Sequence, residues 1–149
     1  MWTAAVKQAL LERHEMTLLD VMGCNEYLGW YYVHPDEVPA TRWQSAYEKP
    51  LVMSEFGAGA LQGHHGDPDT PFTEEHQARV YERQIEMLRG IPFLAGTSPW
   101  ILKDFRSPRR VLKDLQDYYN RKGLLSERGV RKQAFHVLQH FYGELARQR

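Results

Sequence analysis

The chain has 149 residues, a length that suits one domain, and its 42% content of hydrophobic residues is enough for a packed core. Its 19 basic and 19 acidic side chains cancel, which argues against binding nucleic acid or an anionic membrane through bulk charge. The single cysteine, Cys24, excludes an intramolecular disulfide and a cysteine-based zinc site. No run approaches the ~20 apolar residues of a membrane span. We therefore predict a globular domain with neither nucleic-acid nor membrane partners.

Helical and extended patterns alternate along the first two thirds of the chain. Apolar side chains at helical spacing predict an amphipathic helix over residues 2–14, and the apolar run TLLDVMGCN that follows predicts a buried strand. A proline-containing loop then leads to a second strand-like run, LVMSEF. Thr73, with two glutamates after it, predicts the start of the next helix, and Gly90 predicts its end.

The last third combines a third strand, a long loop and a helix. The run IPFLAGTSPWI is typical of a buried strand that ends at Pro99. The charged segment 103–132 is unusually long for a loop in a compact domain, which suggests that it has a function. The final helix is predicted from apolar residues at helical spacing: Ala134, Phe135, Leu138, Phe141, Tyr142 and Leu145. This order of elements predicts an α/β fold with parallel strands and helical crossovers. Because such strands leave two open edges, we expect part of a larger α/β unit, such as the closing third of an eight-stranded barrel.

Candidate reactive groups follow each predicted strand, where parallel barrels place their active sites. The three strand ends carry Asn25, Glu26 and Tyr27; Glu55; and Ser98, Trp100 and Asp104. Carboxylates beside Tyr and Trp rings suit sugar chemistry, because aromatic faces stack on a pyranose while carboxylates act on its hydroxyls and anomeric carbon. The residues alone leave Glu55 either catalytic or an ion-pair partner.

Four ordered motifs, CNEYLGWYY, PLVMSEFGAG, GTSPWILKDFRSPRR and NRKGLLSERGVRKQAF, resemble the last part of the catalytic barrel of glycoside hydrolase family 2, most closely its β-glucuronidase-type members. The resemblance extends from Leu18 to Tyr142. It implies that residues 1–149 form the C-terminal portion of a (β/α)8 TIM barrel, about its sixth to eighth strands with their helices. It also implies retaining hydrolysis of β-linked sugars, and no cofactor, since two carboxyl groups suffice.

The resemblance also implies roles for residues at the strand ends. In this family the carboxylate after the seventh barrel strand is the nucleophile, so Glu55 would attack the anomeric carbon and form a glycosyl-enzyme ester. Asn25 and Tyr27 match the Asn-x-Tyr after the sixth strand, where the tyrosine hydroxyl can donate to the nucleophile. Trp100 matches a tryptophan of the sugar platform. Aromatic packing is the alternative role for Tyr27 and Trp100.

Asn120 and Lys122 resemble the Asn-x-Lys motif with which β-glucuronidases grip the C6 carboxylate of glucuronic acid. An ammonium beside an oriented amide fits a carboxylate but gains nothing from a neutral hydroxymethyl group, so a β-glucuronide is the expected carbohydrate substrate. Three nearby arginines can add positive potential: Arg106, Arg109 and Arg110. A solvated basic loop is the alternative interpretation.

A retaining glycosidase needs a second carboxylate, which this family carries in an Asn-Glu pair after the fourth strand. Asn25-Glu26 spells that pair, but only 29 positions separate Glu26 from Glu55, whereas three βα units of ~30 residues each divide strands four and seven. We therefore assign Glu26 to the sixth strand, facing a substrate hydroxyl or an arginine. The acid/base is expected outside this chain, which alone is expected to be inactive or nearly so. The rest of the barrel would come from another copy or another polypeptide.

Other interpretations stay open. The chain could derive from a β-galactosidase-type enzyme of the same family, or be a carbohydrate-binding barrel piece without catalysis. His136 and His140 on the last helix, or His64 and His65 with Asp67, have spacings that can hold zinc. No glutamate follows His136 as the metalloprotease pattern requires, and we predict no metal. The stretch after Met1 is not a signal peptide, which favours the cytoplasm, although the resemblance places the true N-terminus outside this chain.

Overall fold

The centre of the molecule is a parallel sheet of three strands. The computed structural model describes residues 19–148, so the helix predicted over residues 2–14 lies outside the described residues. The strands are β1 (Met22–Asn25), β2 (Leu51–Glu55) and β3 (Leu94–Thr97), and β2 lies between the other two. The predicted parallel α/β arrangement is therefore confirmed, while the complete barrel stays a prediction.

Two helices pack on each other beside this sheet. They are α1 (Glu74–Arg89) and α2 (Gln133–Arg147), and a 3-10 helix, Pro35–Ala40, packs on α1. One hydrophobic core joins strands and helices; its members include Met22, Leu51, Met53, Phe56, Tyr81, Leu88, Leu138 and Phe141. Within residues 19–148 no helix is long and apolar enough to cross a membrane.

The ends of the helices follow from local chemistry. The Thr73 hydroxyl oxygen accepts the N–H of His76 at 3.1 Å, and Gly90 caps the other end of α1, as predicted. Helix α2 has no side-chain cap from its own N-cap residue. Instead, the Glu74 carboxylate accepts the N–H of Gln133 at 2.8 Å, so that α1 supplies the cap for α2.

One face of the sheet is more open than the apolar sequences suggested. In β1, Met22 and Cys24 are buried whereas Gly23 and Asn25 are exposed. No residue of β3 is fully buried. Within the described part of the chain β3 is paired along one edge, so the prediction that β1 and β3 are buried strands is wrong for residues 19–148.

The long segment after β3 is ordered by backbone pairing. Strands β4 (Phe105–Arg106) and β5 (Tyr119–Asn120) form an antiparallel two-stranded ribbon. Strand β5 ends at Asn120, so Asn120 and Lys122 lie beside the residues that follow β2 and β3. The segment predicted to be functional is therefore a structured arm that carries one motif to the strand ends.

Candidate active site

Glu55 and Tyr27 meet at the carboxyl edge of the sheet. Strands β1 and β2 are parallel neighbours with Asn25 opposite Glu55, so the residues after β1 lie beside the end of β2. The Tyr27 hydroxyl donates a hydrogen bond to Glu55 Oε2 at 2.6 Å. Burial and this hydrogen bond raise the pKa of the Tyr27 hydroxyl, which keeps its proton in place as a donor to the carboxylate.

Asn25 and Glu26 hold the turn that carries Tyr27. Asn25 Oδ1 accepts the Ser54 hydroxyl at 2.7 Å, which ties the ends of β1 and β2 together. Glu26 is 2% exposed, and its Oε1 accepts the N–H of Tyr27 at 2.8 Å. Both residues thus support the pair formed by Tyr27 and Glu55, and their predicted contacts with a substrate stay predictions.

Gly57 allows the backbone to turn immediately after Glu55 and Phe56. Its φ is 130°, a conformation that other residues rarely adopt, and a Cβ on Gly57 would lie 2.2 Å from the Tyr81 hydroxyl oxygen. Phe56 is fully buried and packs edge-on against the Tyr81 ring, with centroids 5.6 Å apart. Close packing against α1 therefore requires the glycine and fixes the backbone that presents Glu55.

The Lys122 ammonium lies among aromatic rings. Its Nζ is 3.7 Å from the ring centroid of Tyr27, 4.4 Å from that of Tyr31 and 5.2 Å from that of Trp30. The side chain is buried, and within residues 19–148 its Nζ has no hydrogen-bond partner. Ring faces attract a cation but leave its three donors unused.

The charge of Lys122 responds to its surroundings. Burial lowers its pKa to about 7, the positive charge of Arg110 acts in the same direction, and the Glu55 carboxylate opposes both. Because buried polar groups are normally hydrogen-bonded, an ammonium without an acceptor at this position suits an anionic ligand oxygen.

A cavity of about 280 Å³ opens beside Lys122. Its walls include Trp30, Tyr31, Arg110, Asn120, Arg121 and Lys122. Asn120 Oδ1 accepts the backbone N–H of Lys122 at 3.1 Å, which orients the amide toward the same loop. Glu55 does not line this cavity. Tyr27 connects the two places, because its hydroxyl contacts Glu55 and its ring contacts Lys122.

Trp100 lies where β3 ends, between the segments of Glu55 and Lys122. The backbone N–H of Trp100 donates to the Phe56 carbonyl at 2.9 Å, and the backbone N–H of Ile101 donates to the Lys122 carbonyl at 3.0 Å. The partly exposed indole meets the Phe105 ring edge-on. The sugar-platform role of Trp100 stays a prediction.

The chain is similar to β-glucuronidases in sequence and structure. It is 36% identical to the β-glucuronidase of Streptococcus agalactiae over 127 residues, which cover 79% of this chain and 21% of that protein. The structure of the Dictyoglomus thermophilum β-D-glucuronidase matches 86% of this chain and 23% of its own, with a TM-score of 0.76 and 28% identity. A GH2 β-galacturonidase from Eisenbergiella tayi, solved with galacturonate, shares the fold at a TM-score of 0.71 and 22% identity, over 84% of this chain and 24% of its own.

The chain resembles a fragment of a β-glucuronidase of glycoside hydrolase family 2. The resemblance predicted from the four motifs is thereby confirmed. The chain spans about a fifth of the length of the curated β-glucuronidases it matches. No family model matches it.

Some residues around this β-glucuronidase-like site were misjudged from sequence. Asp104, expected among the reactive groups, has a fully buried side chain that pairs with Lys132 at 2.8 Å and accepts the N–H of Gly123 at 2.8 Å. Lys132 lies in a basic stretch that is typical of a solvated surface, so its buried position was not predicted from the sequence. Gln77 was also missed, although its side chain donates to the carbonyls of Ala58 and Gly123. A glutamine four residues before Tyr81, on the buried face of α1, was a signal that could have indicated it.

The histidines considered for a metal site have other contacts. His140 Nε2 is 3.1 Å from Glu144, and His65 Nδ1 is 2.8 Å from Glu75. In the part of the chain that the structure describes, no three His, Cys, Asp or Glu side chains form a group that could hold a metal ion.

Proposed function

We propose that the chain carries the nucleophile and the carboxylate-binding loop of a retaining β-glucuronidase. The observation that supports this best is the double contact of Tyr27, whose hydroxyl is 2.6 Å from Glu55 Oε2 and whose ring centroid is 3.7 Å from Lys122 Nζ. One tyrosine thus contacts a carboxylate through its hydroxyl and, through its ring, an ammonium that has no hydrogen-bond partner within residues 19–148. These are the two charges needed to attack C1 of a sugar and to bind its C6 carboxylate.

Glu55 would perform the covalent step. A carboxylate oxygen bonds to C1 while the bond from C1 to the aglycone oxygen breaks, and the electron pair leaves with that oxygen. Water then hydrolyses the glycosyl ester, and the two inversions retain the configuration. The Tyr27 hydroxyl orients the carboxylate throughout, because its raised pKa keeps it protonated.

Lys122 and Asn120 would bind the uronate in the cavity beside them. The Lys122 ammonium, which has no hydrogen-bond partner in the described part of the chain, supplies charge and donors, and the Asn120 amide is oriented by its bond to the backbone of Lys122. Arg110, on the cavity wall, adds positive potential. Trp100 would form the platform under the ring, and Asn25 and Glu26 would hold the turn of Tyr27. A neutral β-galactoside would leave the ammonium without an anion.

We infer that residues 1–149 form the C-terminal part of a (β/α)8 catalytic domain and that the acid/base comes from elsewhere in that barrel. Glu26 does not suit this role, because it is 2% exposed and its carboxylate holds the N–H of Tyr27. Protonation of an aglycone oxygen therefore needs a group that neither Glu55 nor Glu26 supplies.

A reagent whose leaving group needs no proton tests this assignment on the 149-residue chain. With 2-deoxy-2-fluoro-β-D-glucuronyl fluoride, the bond from Glu55 to C1 forms as fluoride departs, and the 2-fluoro group slows hydrolysis of the ester by disfavouring positive charge at C1. We expect mass spectrometry to find the adduct on the peptide of Glu55 and not in Glu55→Gln. Equal labelling of that variant would contradict the nucleophile.

The same test with other sugars examines the substrate. We expect the glucosyl analogue to label more slowly than the glucuronyl one, and equal rates would contradict the role of Lys122. Faster labelling by the galacturonyl analogue would assign galacturonides as substrates while keeping the carboxylate site. Calorimetric binding of glucuronate without any labelling would favour the carbohydrate-binding alternative.

A further inference from the structure

A single buried ammonium joins three segments around the candidate site. Lys132 Nζ donates to the carbonyl of Ala60 at 2.6 Å, to Asp104 Oδ1 at 2.8 Å and to the carbonyl of Arg121 at 3.0 Å. All three ammonium donors are therefore used. Ala60 follows β2, Asp104 follows β3, and Arg121 lies between the two residues of the Asn-x-Lys motif. The three loops that meet at the site are thus held at one nitrogen.

Asp104 completes this junction from the other side. Its fully buried carboxylate accepts Lys132 Nζ and the N–H of Gly123 through the same oxygen, while its Oδ2 lies 3.4 Å from Arg121. A Cβ on Gly123 would lie 2.2 Å from the Asp104 nitrogen and 2.5 Å from its Oδ1. The glycine after Lys122 is therefore required, because Asp104 occupies the space that a side chain would need.

The backbone carbonyls of this segment are also fixed. Each carbonyl from residue 121 to 123 accepts a hydrogen bond from a different part of the fold. The donors are, in order, the N–H of Ala60 at 2.9 Å, the N–H of Ile101 at 3.0 Å and the side chain of Gln77 at 3.2 Å. Lys122 thus has an anchored backbone, whereas its own ammonium has no partner within residues 19–148.

The contrast between the two lysines suggests a division of roles. Burial lowers the pKa of Lys132 and raises that of Asp104, while their ion pair acts against both shifts. Replacing a buried ion pair with neutral groups of similar shape is often harmless to stability, so stability alone does not account for this pair. Its contacts converge on residues 121–123, which points to control of position.

We propose that the Lys132–Asp104 ion pair is a positioning device that sets where the Lys122 ammonium stands relative to Glu55, and so determines the preference for an acid sugar. This inference rests on the proposed function. Lys132 and Asp104 act through the loop and do not touch the substrate. Their removal should therefore affect the choice of sugar more than the reaction at C1.

The test compares labelling of Glu55 by the glucuronyl and glucosyl fluorides in matched variants of the 149-residue chain. Lys132→Met with Asp104→Asn removes both charges and keeps an oxygen at residue 104 for the N–H of Gly123. Lys132→Gln with Asp104→Asn is a second variant in case the first does not fold, as judged by circular dichroism, because it is also neutral and keeps a side-chain N–H donor at residue 132. Glu74→Gln is the control, because Glu74 is also buried but binds the N–H groups of Gly63 and Gln133.

We expect the double variant to lose glucuronyl-over-glucosyl preference by roughly tenfold to 100-fold, the scale of a misplacement near 1 Å. Lys132→Gln with Asp104→Asn should show a smaller loss, because the amide can keep part of the junction, while Glu74→Gln should lower the melting temperature and keep the wild-type preference. Folded variants with wild-type preference would overturn the inference, as would an equal loss in Glu74→Gln, which would indicate a purely structural role. If Glu55 of the wild-type chain is not labelled, or is labelled equally by the glucuronyl and glucosyl fluorides, the proposed function itself is overturned.

Discussion

Tyr27 contacts both charged groups of the candidate site, so its two ends can be tested separately. Tyr27→Phe removes the donor to Glu55 and keeps the ring next to Lys122. A hydrogen bond to a charged group contributes about 1.5–3 kcal/mol, so labelling of Glu55 should slow roughly 10- to 100-fold. The glucuronyl-over-glucosyl preference should not change, and labelling rates with both fluorides measure this. An unchanged rate with a lost preference would contradict the assigned roles.

The preference for the acid sugar should depend on pH through Lys122. Its pKa of about 7, lowered first by burial and then by Arg110, means that the ammonium is charged below this pH and neutral above it. The preference should therefore be greatest in mild acid and decline as pH rises through about 7. Labelling ratios measured across this range test the prediction.

Two variants separate Lys122 from other titrating groups. Lys122→Met should reduce the preference and remove its pH dependence, whereas Arg110→Met should move the midpoint upward because a positive neighbour is lost. The same pH midpoint in Lys122→Met would assign the titration to another group.

The same lysine should also lower the stability of the fold. Its pKa falls from 10.5 when unfolded to about 7 when folded, so the folded state holds fewer protons between these values and stability rises with pH across that window. Lys122→Met should therefore raise the melting temperature by a few degrees below pH 7, and this gain should disappear above about pH 10.5. Thermal unfolding of both chains at several pH values measures it, and a gain independent of pH would contradict the linkage.

At the scale of elements, the two helices depend on one carboxylate. Glu74 of α1 accepts the N–H of Gly63 at 2.7 Å through one oxygen and that of Gln133, in the first turn of α2, through the other. Glu74→Gln leaves one of these donors unpaired, so the free energy of unfolding should fall by about 1–3 kcal/mol. Urea unfolding measures this change. Glu86→Gln, on the exposed side of α1, should have no measurable effect, and equal losses would argue against the cap.

Local signals predicted the elements, whereas long-range pairing was not readable from the sequence. Thr73 and Gly90 bound α1 as predicted, because caps involve neighbouring residues. The junction of Lys132 with Asp104 joins residues 28 positions apart, and both are charged, which in sequence suggests a solvated loop. The open face of the sheet was missed because an apolar run indicates burial without showing what covers it. Tyr27 and Glu55 were paired correctly only through the family motif.

At the scale of the whole molecule, the proposed function separates sugar binding and nucleophilic attack from proton donation. Glu55, Tyr27, Asn120 and Lys122 are brought together by β1, β2 and the β4–β5 arm. Glu26 is buried beneath the turn of Tyr27, away from a donor role. The 149-residue chain should therefore react with substrates only to the extent that their leaving groups depart without a proton.

A series of aryl β-glucuronides tests this consequence. Without an acid, the rate of forming the glycosyl ester should rise steeply with the acidity of the departing phenol, since the leaving oxygen carries the full charge that a proton would otherwise neutralise. Phenol release by the wild-type chain gives the slope, and Glu55→Gln gives the background. Glu26→Gln should leave the slope unchanged because its carboxylate binds a backbone N–H. If the wild-type slope is shallow and becomes steep in Glu26→Gln, Glu26 is the proton donor. Enzyme-like turnover of glucuronides with poor leaving groups would show that the chain contains a complete catalytic pair.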